Sequence, residues 1–340
     1  MKPSSIISAV KHLIAIQQPC FIWGPPGAGK SDVMRQIAAE MEYELRDTRL
    51  SLMDPVDMKG FPVVNKELNV MEWVPPNFLP PMHVKKGNKV VANESYGVLF
   101  LDEMNTALQA TQAGGYQLTL DRRIGDYVLP KNWTIVAAGN RATDRGVVHA
   151  QPAPLANRFV HLDFDVNMDD WYDWATKHDI SPMLRAFMRF RPNLLHAFDA
   201  TQNPRAFPTP RTWAFVDRIY DSKLDPLVEF ELIKGTVGDG AAAEFQSFVK
   251  LAKDLPSIDQ ILIAPERTDL PSSPAAMYAI CTALDKKTTP QNVDRVLKYV
   301  TRMTTEYQVL FLRSTLLAKP DVAQTTAFTK WVAENQAVLM

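Results

Sequence analysis

Residues Cys20–Ser31 read CFIWGPPGAGKS, and this stretch decides the fold. Cys20-Phe21-Ile22-Trp23 is a short apolar run of strand length. It feeds directly into Gly24, Pro25, Pro26, Gly27, Ala28, Gly29, Lys30 and Ser31, which fit the pattern G-x-x-x-x-G-K-[ST]. A strand, a tight glycine-rich turn and a helix opening near Lys30 make a phosphate cradle. The backbone N–H groups of the turn converge on one point, and the helix N-terminus adds partial positive charge there. Lys30 would reach the β- and γ-phosphates, and the Ser31 hydroxyl would ligate Mg²⁺. An ordinary Gly/Pro turn needs neither the lysine nor the hydroxyl at the helix start. The pattern therefore predicts binding of a nucleoside triphosphate.

Outward from this loop, apolar runs alternate with helical patterns through the first half of the chain. That alternation predicts an α/β fold, a parallel five-stranded sheet flanked by helices. The expected strands are Cys20–Trp23, Tyr43–Thr48, Val98–Leu101, Trp133–Ala138 and Phe159–Phe164, and the expected helices are Lys30–Glu42 and Thr106–Leu120. The third and fourth runs are uninterrupted, as central strands buried on both faces should be. Asp54–Glu94 reads as a long irregular connection, with MKGFPV at Met58–Val63 and WVPPNFLPPM at Trp73–Met82. A connection of that length is functional or disordered, and its aromatic content argues against disorder. DRRIGDYVLP, Asp121–Pro130, reads as a hairpin turning at Ile124-Gly125-Asp126. Beyond about Asn167 strand signals fade and helices dominate. Boundaries are expected near 166 and, more softly, near 235, where GTVGDG suggests a turn.

A second chemical motif is YGVLFLDEMN, Tyr96–Asn105, an apolar strand ending in Asp102-Glu103. Asp102 would hold Mg²⁺ mainly through its water shell, because Mg²⁺ dehydrates reluctantly. Glu103 would orient and deprotonate the water attacking the γ-phosphate. An acidic helix cap after a strand explains the pair equally well when it is taken alone; the upstream loop gives it chemical meaning. The fourth strand ends in Ala137-Ala138-Gly139-Asn140. Ligands sit outside the carboxyl ends of parallel strands, so Asn140 can hydrogen-bond the γ-phosphate or the water, unless it serves as a turn former.

Taken together, GPPGAGKS, VLFLDE, IVAAGN, PLANRF and PTPRTW resemble an AAA+ ATPase, and most closely its MoxR-like branch, which includes relatives of dynein and midasin. In order they match that family's Walker A, Walker B, sensor 1, arginine-finger and sensor 2 motifs, over about residues 5–220. The resemblance implies ATP and Mg²⁺ as ligands, subunit-interface nucleotide sites in a ring, usually a hexamer, and an α-helical lid after the αβ core. It implies that Arg158 is the finger, acting on a neighbouring subunit's nucleotide, with Arg141 and Arg145 as alternatives. It implies that Arg211 is sensor 2, donated from the lid. It matches the Asp121–Pro130 hairpin to an insertion before sensor 1, and part of Asp54–Glu94 to a helix-2 insertion. The expected organisation is then a core over 1–166, a lid over 167–235 and a C-terminal helical extension over 236–340. Members of this branch often act as chaperone-like activators, so a protein substrate or adaptor, possibly of von Willebrand factor A type, is the implied partner.

The bulk properties narrow the field. A formal charge of −1 gives no general attraction to nucleic acid or an anionic membrane. Lys85, Lys86 and Lys89 make too small a basic cluster to reverse that. Cys20 and Cys281 form no disulfide framework, the N-terminus is too polar for a signal peptide, and no apolar run reaches membrane-spanning length, so a cytoplasmic location is expected. The competing functions are a nucleic-acid-dependent motor and a small-molecule P-loop kinase. Phe61 could line a pore, against a role as a buried loop anchor, and Arg123 and Tyr127 in the hairpin are comparable candidates, against solvent exposure or intersubunit packing.

Overall fold

Alternation within the apolar runs sorts their side chains onto two faces of one sheet, because successive strand residues point in opposite directions. The computed structural model describes residues 1–67, 69–144, 149, 156–199, 204–222, 224–252 and 255–335. Its core strands are β1 (Cys20–Trp23), β2 (Glu44–Arg49), the later β7 (Gly97–Asp102) and β10 (Trp133–Gly139), and β11 (Val160–Asp163). They form one sheet in the order β11-β1-β10-β7-β2, with every pairing parallel. Cys20, Ile22, Val98, Phe100, Val136 and Ala138 bury on one face, beneath Ile6 and Val10 of α1 (Pro3–Ala15) and Met34 and Ile37 of α2 (Lys30–Glu40). Phe21, Leu99, Leu101, Ile135 and Ala137 bury on the other, against Leu118 of α4 (Gln109–Asp121). All residues of β7 and β10 are buried, which matches their uninterrupted apolar sequence.

The connection over 54–94 differs most from the sequence reading. It holds α3 (Pro55–Lys59) and two antiparallel hairpins, β3 (Phe61–Asn65) with β4 (Val70–Val74) and β5 (His83–Lys86) with β6 (Lys89–Ala92). In sequence neither hairpin stands out, because Pro62 interrupts one apolar run and Lys85, Lys86 and Lys89 thin out the other. A hairpin between β8 (Arg123–Ile124) and β9 (Tyr127–Val128) turns at Gly125-Asp126, with Gly125 at φ +55°. Ahead of α4 a 3₁₀ turn covers Met104–Thr106, so the helix expected from Thr106 begins three residues later.

The chain divides into two compact units, Met1–Val166 and Asn167–Met340. The regular elements described in the second are helices: α5 (Met168–Lys177), α6 (Pro182–Phe190), α7 (Pro210–Asp221), α8 (Pro226–Val237), α9 (Asp239–Ala252), α10 (Ile258–Ile263), α11 (Pro274–Lys287), α12 (Val293–Val300), α13 (Thr305–Ala318) and α14 (Thr326–Glu334). Residues on both sides of position 235 belong to this one unit, and α8 runs through Gly235 to end at Gly238, φ +87°. Between α12 and α13 the chain breaks at 301–304, where Gln308 Nε2 donates to the carbonyls of Thr301 and Met303 at 3.1 and 2.8 Å. At the centre of this unit Arg185 and Asp285 form a buried ion pair at 3.0 Å. Cys20 and Cys281 are buried free thiols, each pushed up to about 12 by burial. Among the described residues no helix is long and apolar enough to cross a membrane.

Candidate functional site

Parallel register brings the chemistry to one edge of the sheet. Trp23 at the end of β1 lies opposite Gly139 of β10, and Ala137 of β10 lies opposite Leu101 of β7. The residues that follow these strand ends, Gly24–Ser31, Asn140 and Asp102-Glu103, therefore share that edge. The Gly24 N–H donates to the Gly139 carbonyl at 3.2 Å, tying the loop to β10. A Cβ on Gly24 would lie 3.1 Å from Phe164, so a side chain there would crowd the turn.

The loop curls through two left-handed positions, Gly27 at φ +72° and Gly29 at φ +100°. Non-glycine residues are strained there. A Cβ on Gly29 would meet nothing within 4 Å, so the cradle is open on that side. Pro25 and Pro26 set the entry to the turn and Ala28 is buried. Lys30 starts α2 and is only 9% exposed. Its Nζ donates to the carbonyls of Gly24 (2.8 Å) and Pro25 (3.1 Å) and to Asn140 Oδ1 (3.1 Å). The ammonium thus sits inside the loop with the asparagine of the neighbouring strand.

Next to it, the Ser31 hydroxyl donates to Asp102 Oδ2 at 2.6 Å, with both residues buried. This donor set fits Mg²⁺. The serine keeps its lone pairs for a direct bond, and the hard carboxylate is held where it can accept from the ion's water shell. Glu103 has φ +54° and ψ +32°, a left-handed conformation uncommon for a residue with a side chain. Its N–H donates to Asp102 Oδ1 at 2.9 Å, and Thr106 returns to its carbonyl with Oγ1 at 2.8 Å. The twist turns consecutive carboxylates away from each other, Asp102 toward Ser31 and Glu103 toward Ser51, whose hydroxyl donates to Glu103 Oε2. Ser51 was not picked out in the sequence. Its signal lies only in position, just after the strand β2 that pairs with β7, where Arg49 stands opposite Asp102.

Asp47, on the same strand, has its carboxyl raised above the ordinary range, first by burial and then by the Asp102 charge, with Arg35 and Arg49 opposing.

Arg158 stands elsewhere. It is exposed, immediately before β11, and its carbonyl accepts from Gln18 Nε2 at 3.4 Å. Cys20, the first residue of β1, pairs with Val160, so Arg158 lies at the amino edge of the sheet, opposite the edge carrying the loop. It lines a cavity of about 320 Å³ with Gln17, Gln18, Thr119 and Arg122. Arg141 is committed locally, its Nη2 donating to Asp165 Oδ1 at 2.7 Å and to the Phe164 carbonyl at 2.9 Å. That pair holds the Asp165 carboxyl below its ordinary value. Arg145 lies outside the described residues. In the second unit Arg211 is exposed in the first turn of α7, whose Thr209 cap accepts from the Thr212 N–H at 3.1 Å.

Of the loop residues weighed for a pore, Tyr127 is 3% exposed and its hydroxyl donates to the Pro80 carbonyl at 2.8 Å, so it is a core residue. Phe61 is 67% exposed at the start of β3, so it is not a buried anchor, and Arg123 is exposed at the hairpin.

No protein-family profile matches the chain. No curated protein matches it either. Among solved structures it is similar to the Thermotoga maritima RuvB Holliday junction branch migration motor, at 17% identity and a TM-score of 0.37, covering 78% of this chain and 75% of that one. It is also similar to NtrX from Brucella abortus, at 13% identity and a TM-score of 0.41, covering 98% of this chain and 67% of that one. Such scores are too low for a function to be carried across.

Proposed function

We propose that this protein is an AAA+ ATPase of the MoxR-like branch, hydrolysing ATP with Mg²⁺ in a ring of identical subunits and coupling turnover to remodelling of a protein partner. The observation that carries the reading is the convergence at one sheet edge of Lys30, the Ser31–Asp102 pair, Glu103 and Asn140, within hydrogen-bond reach in the pairs given above.

Lys30 exchanges its carbonyl partners for phosphate oxygens, and the loop N–H groups and the start of α2 add fixed positive potential. Ser31 would ligate Mg²⁺ and Asp102 would hold its water shell, and the ion bound there would supply charge neutralisation for the phosphate oxygens. Glu103 accepts the proton of the attacking water once its carboxylate turns from Ser51. Asn140, already bound to Lys30 through Oδ1, orients the water or the γ-phosphate. Arg158 is assigned the finger role in trans. Support comes from its place at the sheet edge opposite its own loop, out of reach of its own nucleotide, and from the engagement of Arg141 with Asp165. Arg211 is assigned to sensor 2 by motif order and its exposure at a helix start. For the protein partner, β3 and β4 offer a surface: Val64 and Met71, opposite each other across the hairpin, are each more than 60% exposed. A von Willebrand factor A-type protein is the first partner to try.

The ring reading is tested by mixing two inactive proteins. Arg158→Ala lacks the finger and Glu103→Gln lacks the base. Mixed rings contain interfaces where an intact Glu103 meets an intact Arg158, so turnover should return. Mixed particles confirmed by mass that stay inactive would refute the trans role.

A further inference from the structure

Asn105 lies just beyond Asp102-Glu103, in the 3₁₀ turn at the end of β7, and is 2% exposed. Its amide is built into the gap between β7 and β10. Nδ2 donates to the main-chain carbonyl of Asn140 at 2.7 Å. Only an N–H can make that bond, so the amide orientation is fixed by its partner. The Asn105 carbonyl in turn accepts from the His149 N–H at 2.8 Å. Oδ1 points the other way, onto Gly139. A Cβ there would lie 2.1 Å from Oδ1 and 2.7 Å from Cγ, so the backbone of β10 approaches this amide as closely as a glycine permits. Oδ1 is buried with no hydrogen-bond partner among the described residues. An amide buried with half its capacity unused is costly, which argues that the other half is needed.

We propose that Asn105 is a positioning residue for Asn140, and through it for ATP turnover. This rests on the ATPase reading above. Asn140 follows β10 directly, and its side chain is held on one side by Lys30 Nζ. Its backbone is held by Asn105, which comes from the same strand end as the carboxylate pair. Asn105 therefore sets the distance between the Glu103 end of β7 and the Asn140 end of β10. On this reading it acts through the Asn140 backbone rather than on the nucleotide. Its loss should leave phosphate binding, which belongs to Gly24–Ser31, in place while Asn140 drifts.

The test measures steady-state ATP hydrolysis and, separately, the Kd for a fluorescent ATP analogue. Asn105→Asp keeps the shape of the side chain and, as the carboxylate, removes the donor. Its kcat should fall about 10- to 100-fold, the size expected when a reacting group is misplaced by about an ångström. The Kd should stay within about threefold of wild type, because binding and chemistry are separated. Gly139→Ala approaches from the other side, pushing the amide away, and should give the same split. Combined with Asn105→Ala it should cost no more than about twofold beyond the worse single variant, since both act through one contact.

An Asn105→Asp protein with kcat within about twofold of wild type would overturn the proposal. A parallel loss of nucleotide affinity, or fully additive losses in the double variant, would also overturn it, because Asn105 would then be supporting the fold. A wild-type protein that turns over no ATP would sink the ATPase reading first and take this proposal with it.

Discussion

Ser31→Ala removes one hydroxyl that has two duties, and the structure separates them. Without nucleotide, Ser31 Oγ is the donor to Asp102 Oδ2 at 2.6 Å, while the Glu103 N–H serves Oδ1 at 2.9 Å. Asp102 is 6% exposed, so water does not readily replace the lost donor. A hydrogen bond to a charged group is worth about 1.5–3 kcal/mol. Taking about 2 kcal/mol, a unit of 166 residues should lose about 6 °C in Tm. On the proposed reading, the same hydroxyl would be the direct metal ligand once nucleotide is bound. Ligand at about a hundred times Kd stabilises the wild type by about 2.7 kcal/mol. The part of that gain that needs Mg²⁺ should vanish in Ser31→Ala, while the part seen with ATP and excess chelator should remain. Thermal unfolding of both proteins under four conditions (bare, ATP with chelator, Mg²⁺ alone, Mg²⁺ with ATP) reads both duties. A variant with the wild-type Tm and the wild-type Mg²⁺-dependent increment would refute the assignment of Ser31 and the geometry behind it.

Three other expectations concern stability. Gly97→Ala would put a Cβ 2.5–2.6 Å from three ring atoms of the fully buried Trp133, so overpacking should cost about 1–3 kcal/mol in urea unfolding, and an unchanged midpoint would contradict the packing described. Asp47→Asn should stabilise at pH 8. Burial and Asp102 raise this carboxyl above its unfolded value, so the charged form works against folding above that value. The gain should shrink as pH falls and Asp47 protonates in both states; a larger gain at pH 4 than at pH 8 would reverse the sign argued. Asp285→Ala should destabilise by about 3–5 kcal/mol, because Arg185, 7% exposed in its side chain, would be left charged and buried. A loss below about 1 kcal/mol, typical of an exposed pair, would show that the guanidinium reaches water.

Much of the first unit was legible because buried parallel strands write themselves as apolar runs. β1 is matched residue for residue, and β7 and β10 within a residue at each end. The loop was legible because glycine and lysine at fixed spacing have few other uses. What escaped depends on tertiary partners. The hairpins β3–β4 and β5–β6 carry mostly exposed residues, so no buried face imposes a period on their sequence. Ser51 is one serine in an unremarkable stretch, and only the pairing of β2 with β7 brings it to Glu103. Asn105 carries no signal of its own within YGVLFLDEMN, because its significance lies in a carbonyl 35 positions away. Neither the pore nor the solvent reading of Tyr127 holds, because a two-residue hairpin strand does not show in sequence which face packs; its hydroxyl ends on the Pro80 carbonyl.

The central claim is that one sheet edge both binds ATP and cleaves it, with binding assigned to Gly24–Ser31 and proton removal to Glu103. Phosphate release and ATP affinity should therefore be measured together for the wild type and Glu103→Gln in Mg²⁺. The account predicts a wild type that hydrolyses ATP and a variant that binds ATP within about threefold of wild-type affinity yet turns over at least about a hundredfold more slowly. A variant that hydrolyses at the wild-type rate, or a wild type that binds no ATP, would contradict it.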